Sequence, residues 1–253
     1  MASARETIEV FHLLFLRAFG ARVDRALYAL KGGCNLRFFH KSIRYSEDID
    51  LDIRTMSVTT LRNNVDRLFE APPFLHTLRA HQLEILRVSR PKQTETTQRW
   101  KLALHSTAAG PEIPTTIEFS RRAFDEGVAH EAVDAEIIRR YRLYPVLVQH
   151  YDARAALTQK ITALALRSQT QARDIFDLKL LLDSAADRSP QPKQTAANLP
   201  RAIENAMSVG FDEFAGQVLA YLEPEYQDHY RQRRVWEDLQ AQVVNALERR
   251  LHS

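Results

Sequence analysis

Hydrophobic and polar positions change period along the chain. Residues 4–19 carry apolar side chains at helical spacing and predict an amphipathic helix; residues 26–30 read as a short strand leading into Gly32-Gly33. Residues 34–40 look like the opening of a second helix. Between Asp48 and Ile53 acidic and apolar residues alternate strictly, the period of a strand with one buried face. Residues 57–70 return to helical spacing, and 83–89, 99–106 and 115–120 are three further strand candidates. In 131–149, Arg and Tyr alternate with Ile, Leu and Val, which reads as strands that end a first domain. From Asp152 onward the spacing is helical, with segments expected at 153–168, 172–185, 197–209, 211–221 and 232–250. The stretch Ser189-Pro190-Gln191-Pro192-Lys193 interrupts it, because proline removes a helical hydrogen bond and clashes with the preceding turn. The pattern predicts an α+β fold: residues 1–150 form a mixed β-sheet with helices packed on it, and residues 151–253 form a helical domain.

Composition adds limits rather than a function. With 253 residues, 45% hydrophobic and 26% charged, the chain has the make-up of a folded protein long enough for a sizeable core. A formal charge of +3 is weakly compatible with an anionic partner. The arginine clusters at 121–122, 139–142, 231–234 and 249–250 are read as solvated surface. A single cysteine, Cys34, excludes an internal disulfide and any metal site built on thiolates, and fits a reducing compartment, the cytoplasm. The apolar run of the first helix is interrupted by His12 and Arg17, too short for a membrane span, and lacks the layout of a signal peptide. The histidines show no metal-ligand spacing. His105 is expected to be packed, and Trp100 and Trp236 to anchor a core or an interface.

The chemistry concentrates at residues 31–53. On a strand, Asp48, Asp50 and Asp52 share one face while Ile49, Leu51 and Ile53 point to the core. Three carboxylates on one face repel, and a solvated face is the simplest account of a bare D-x-D-x-D. The neighbours favour another: divalent cations that take oxygen ligands and keep substrate phosphates in the rest of their shell. Such a site draws a further acid from an adjacent strand, and Glu118 in TTIEFS faces away from Ile117 and Phe119 as that ligand must. Gly32-Gly33 ahead of a helix would let phosphates approach free backbone N–H groups at a positive dipole end. Ser46 is in line to contact a phosphate or to shape the start of the acidic strand.

This combination resembles the polymerase-β-type nucleotidyltransferase superfamily, which carries a glycine turn, a D-x-[DE] pair and a third acid on a later strand. More narrowly, Lys31-Gly32-Gly33, Leu36-Arg37, Arg44, Ser46, Asp48, Asp50 and Leu51 look like the AbiEii/AbiGii toxin family of bacterial nucleotidyltransferases. In the helical half, Lys160, Ala163-Leu164, Arg167, Arg173-Asp174 and Asp177-Leu178 match that family's second motif. The resemblance covers roughly residues 5–185. The family commonly has Thr or Ser where this chain has Cys34, so no hydroxyl contact comes from that position.

The resemblance implies Mg²⁺- or Mn²⁺-dependent transfer of a nucleoside monophosphate from an NTP to an acceptor, most simply a tRNA 3′ end, by the toxin of a type IV-like toxin–antitoxin or phage-defence system. It implies Asp48, Asp50 and Glu118 as metal ligands, and Gly32, Gly33, Arg44, Ser46, Lys160, Arg167 and Asp174 as nucleotide-binding residues. Lys160 also belongs to the catalytic set, together with Asp177, a base or an organiser of Lys160 and the acceptor. Asp52 is a bystander or joins the metal shell. A cognate antitoxin protein is the implied partner, and no membrane is involved. Other readings stay open: a nucleotide- or RNA-binding module without catalysis, and nucleotidyl or phosphoryl transfer to a protein or a small molecule.

Overall fold

The computed structural model describes residues 3–107, 110–124, 126–184 and 193–252. The fold is α+β. The chain divides into two compact units, one of residues 1–39 and 45–151, the other of residues 40–44 and 152–253. The segment His40–Arg44 belongs with the helical unit, whereas hydrophobic periodicity placed it in the first domain. Backbone pairing explains the difference: Glu223 N–H donates to the Ile43 carbonyl at 3.0 Å, and Arg44 forms an antiparallel bridge with Leu222.

The first unit opens with α1 (Ala4–Gly20), started by a reciprocal cap in which Ser3 Oγ accepts from Glu6 N–H and the Glu6 carboxylate accepts from Ser3 N–H. It is buried nearly all round rather than on one stripe, because its polar members have partners inside. Glu9 pairs with Arg37, and His12 bonds to Thr115. Strand β1 (Tyr28–Lys31) then runs straight into helix α2 (Gly32–Phe39), so the double glycine is the helix's own first turn. Strand β2 (Asp48–Ile53) has the bounds its alternation predicts, followed by α3 (Val58–Phe69). Helix α4 (Pro72–Ala80), which periodicity misses, starts on a proline: in the first turn proline loses no hydrogen bond and its fixed φ already suits the helix.

Strands β3 (Leu83–Gln93), β4 (Thr97–Ser106) and β5 (Gly110–Arg121) follow. The stretch 131–149, expected as strands, contains the end of β6 (Val128–Ala132), a short helix α5 (Ala135–Arg140) and the start of β7 (Leu147–Tyr151). Asp134 starts that helix by accepting from Glu136 N–H at 2.7 Å. The seven strands among the described residues form one mixed sheet in the order β3-β4-β5-β2-β1-β7-β6, with parallel pairs at β5/β2 and β1/β7. Ile49, Leu51, Ile53, Ile117, Phe119 and Trp100 fill one face of it, each no more than 1% exposed. Phe19 and Trp100 pack on the Phe119 ring there, and the acids of β2 project from the other face.

The second unit contains α6 (Ala153–Leu166), capped by Asp152 accepting from Ala155 N–H, and α7 (Ala172–Asp183). Then come α8 (Lys193–Ser208), α9 (Phe211–Gln217), α10 (Pro224–Tyr230) and α11 (Arg233–Leu251). The expected break at 189–192 lies outside the described residues; Lys193 opens α8. Helix α10 again begins on a proline. Trp236 stacks on Phe214 with ring centroids 4.6 Å apart, and α8 packs on both α6 and α11. Among the described residues no helix is long and apolar enough to cross a membrane.

Candidate active site

In the first unit the strand register assembles a charged row across the sheet. Lys31 lies opposite Asp50, Asp50 beside Glu118, Glu118 opposite Arg99, and Arg99 opposite Lys92. Paired positions on neighbouring strands share a face, so these side chains from β1, β2, β5, β4 and β3 stand on one side of the sheet. The three aspartates of β2 are not equivalent. Asp48 is exposed, Asp50 is half-buried and Asp52 is 1% exposed. Asp52 is held by the Lys31 ammonium and by the Tyr151 hydroxyl, which donates to Oδ2 at 2.8 Å. Asp52 is thus tied to partners inside the sheet, whereas Asp48 stands exposed at the start of the strand. Glu118 receives two bonds on a single oxygen: Arg99 Nε donates to Oε2 at 2.6 Å, and Arg99 Nη2 lies 2.5 Å from it. Among the described residues no three His, Cys, Asp or Glu side chains gather closely enough to hold a metal ion.

The glycine turn is fitted to the acids. Gly32 has φ +69°, a left-handed conformation that a side chain disfavours, and a Cβ there would lie 2.9 Å from Asp50 Oδ2. Ser46 Oγ donates to the Asp48 carbonyl at 2.9 Å and so shapes the start of β2. Beneath it lies a buried relay. Thr115 Oγ1 donates to the Glu47 carbonyl at 2.7 Å and must therefore accept from His12 Nε2, 2.8 Å away. The His12 ring is thus neutral with Nδ1 bare, facing Cys34 Sγ at 3.4 Å. Burial lowers the His12 pKa from 6.5 to about 3 and pushes the Cys34 thiol well up, so neither is charged near neutrality. Arg37 of the first motif is also structural: its Nε donates to Glu9 Oε1 at 2.7 Å, and the Tyr141 hydroxyl donates to Glu9 Oε2 at 2.6 Å.

The second unit gathers the residues of the second motif into a buried charge cluster. Asp174 and Asp177, three apart on α7 and both 0% exposed, share the Lys160 ammonium at 2.9 and 2.6 Å. Arg44 donates to Asp177 from Nε at 3.2 Å and from Nη2 at 3.1 and 2.9 Å. Arg167, one residue past the end of α6, sets Nε 2.9 Å from Asp174 Oδ2. Burial would raise the Asp177 pKa, but the Arg44 and Lys160 charges outweigh it and hold it at about 2. Burial would likewise lower the Lys160 pKa, yet Asp177 and Asp174 carry it above 10.5. Lys160, expected toward a phosphate, thus has its ammonium on both aspartates.

Spacing alone does not reveal Arg99, Lys31 or Tyr151, because their roles come from strand pairing between residues far apart in sequence. For Lys31 the signal was its place beside the glycines; for Arg99 it was only its position in the alternation of β4. A separate groove of about 640 Å³ in the second unit, lined by Lys41, Phe176, Lys179, Tyr226, His229 and Tyr230 among others, contains none of the expected site residues.

A family model described as "Nucleotidyl transferase AbiEii toxin, Type IV TA system" matches residues 14–246. No curated protein sequence gives a significant match. Among solved structures, JHP933 from Helicobacter pylori is 16% identical with a TM-score of 0.60, covering 99% of this chain and 97% of its own. MenT4, a nucleotidyltransferase toxin from Mycobacterium tuberculosis H37Rv, is 15% identical with a TM-score of 0.60, covering 99% and 95%. At such identities the likeness is one of fold.

Proposed function

Because this chain belongs to the AbiEii family of nucleotidyltransferase toxins of type IV toxin–antitoxin systems, we propose that it transfers a nucleoside monophosphate from an NTP to the 3′ end of a tRNA. The observation that carries this reading is the fit of the acid strand to its glycine turn. Asp50 stands beside Glu118 in register, with Gly32 leaving open the space 2.9 Å from Asp50 Oδ2. Asp48, Asp50 and Glu118 offer oxygen donors alone, the kind a hard cation such as Mg²⁺ or Mn²⁺ takes, and the set is completed only when Glu118 turns from Arg99. Such ions, when bound, supply charge neutralisation at the α-phosphate.

The chain's own groups do the rest. Gly32 and Gly33, at the first turn of α2, present backbone N–H groups to phosphate oxygens. An acceptor hydroxyl oxygen forms the new bond to the α-phosphorus while the bond from that phosphorus to the bridging oxygen breaks. Pyrophosphate leaves with the electron pair, and the hydroxyl proton passes to a base. A carboxylate with a pKa of about 2 is a poor proton acceptor near neutrality, so Asp177 serves as an organiser of Lys160 rather than as that base. Lys160, Arg167 and Arg44 are ion-paired to Asp174 and Asp177, which fixes the cations of the second motif in place. Ser46 acts by fixing the start of β2. We assign the protein to the cytoplasm, with an antitoxin protein as its regulator.

Incubation with Mg²⁺, total tRNA and each α-labelled NTP in turn, beside a double Asp48→Ala, Asp50→Ala variant, tests the reading. Label on tRNA with the parent chain and none with the variant is the expected result. Label on tRNA with both, or on neither tRNA nor protein despite normal NTP binding, would overturn it.

A further inference from the structure

Arg99 binds the third acid of the proposed metal site. Its guanidinium holds Glu118 Oε2 through Nε at 2.6 Å and Nη2 at 2.5 Å, and the two side chains stand opposite each other on β4 and β5. Asp50 is the neighbour of Glu118 on the other side, from β2. Two carboxylates at adjacent cross-strand positions repel, and the Arg99 guanidinium on Glu118 offsets that repulsion. The pair is half-buried, with the Arg99 side chain 38% and that of Glu118 22% exposed. It contrasts with the pairing of Asp177, whose carboxylate is 0% exposed.

We propose that Arg99 is a positioning residue with two successive partners: it holds Glu118 until a divalent cation recruits that carboxylate beside Asp48 and Asp50, and then takes up a substrate phosphate. This rests on reading those acids as the metal site. Exchange is feasible because water still reaches this half-buried ion pair and weakens it, so that it opposes metal binding by only about two- to five-fold. Arginine suits the second role because its planar fork of donors matches phosphate oxygens, whereas lysine offers a point charge. Lys92 opposite Arg99, and Lys101 two residues further along β4, extend the positive charge on the same face, so the released guanidinium meets an anion in a favourable field.

The test is Mn²⁺ titration of the full chain, read from the paramagnetic resonance signal of free Mn²⁺, with pyrophosphate binding measured in saturating Mn²⁺. Arg99→Gln should bind Mn²⁺ about two- to five-fold more tightly and pyrophosphate about ten-fold more weakly, as loss of a charge-assisted contact requires. Adding Glu118→Gln should abolish the Mn²⁺ gain, and Arg99→Lys, which keeps the charge, should fall between parent and Arg99→Gln on both readouts. If Arg99→Gln binds Mn²⁺ no more tightly than the parent while Asp48→Ala, Asp50→Ala abolishes binding, Arg99 does not compete for Glu118 and the proposal fails with the metal site intact. If the double variant binds Mn²⁺ like the parent, the metal reading itself fails and takes the proposal with it.

Discussion

Replacing Asp177 by Asn removes a buried anion that faces both Arg44 and Lys160. The carboxylate is 0% exposed and receives bonds from Arg44 and Lys160. Its pKa falls from 3.8 to about 2 on folding, so the charged form is favoured over the neutral one by about 2 kcal/mol. Asn resembles the protonated acid in shape and in hydrogen bonding, so Asp177→Asn should lose about 2 kcal/mol. Asp177→Ala, which strips away the partner atoms as well, should lose about 3–5 kcal/mol. Trp100 lies in the first unit and Trp236 in the second, so urea unfolding followed by fluorescence in a Trp100→Phe background reports the second unit alone. A folded-state pKa depressed below the unfolded one contributes stability that is present above pH 3.8 and is lost as pH falls through about 2. The gap between parent and Asp177→Asn should therefore be full at neutral pH and close near pH 2. An unchanged or raised midpoint at neutral pH would refute the reasoning and show Asp177 to be a liability kept for chemistry alone.

Other outcomes follow from the first unit. His12 refuses a proton until about pH 3 when folded, whereas the unfolded chain accepts one near 6.5; stability present above pH 6.5 should fall by about 3 kcal/mol between pH 7 and pH 4. His12→Gln should flatten that slope in urea titrations, and an equal slope in both proteins would show that the ring is not buried neutral. Gly32→Ala forces a side chain into a left-handed backbone and against Asp50, which should cost about 1–2 kcal/mol of stability. It should also reduce label transfer further than that loss explains; full transfer at saturating Mg²⁺ would remove the glycine turn from the site. Asp48→Asn, at an exposed position, should leave the unfolding midpoint unchanged while abolishing transfer, and retained transfer would exclude Asp48 as a ligand.

The legibility of each element followed the range of the interaction that makes it. Strand β2 was readable to the residue because alternation is a local property and both of its faces declare themselves. Helices α4 and α10 were hidden because Pro72-Pro73 and Pro224 look like breakers, and only their position in the first turn makes them helix starters. The acids, and the i, i+3 spacing of Asp174 and Asp177, were visible as residue types at fixed spacing. What each acid is bonded to was not. Asp52 is bonded to Lys31 and Tyr151, and Glu118 is set by Arg99 across a strand pair. The motif did not show what Arg37 touches, and only tertiary packing shows it bonded to Glu9, which also accepts from Tyr141.

The passage of His40–Arg44 into the helical unit gives the protein a clock. Arg44 and Asp177 are separated by 133 residues, and a ribosome moving at roughly 5–20 residues per second delivers the carboxylate roughly 7–27 s after the guanidinium. During that interval the nascent chain holds an acid strand but not the finished second unit. A chain cut short before α7 would carry Arg44 and Lys160 without either aspartate, so its second unit would lack the ion pairs that join those cations to α7.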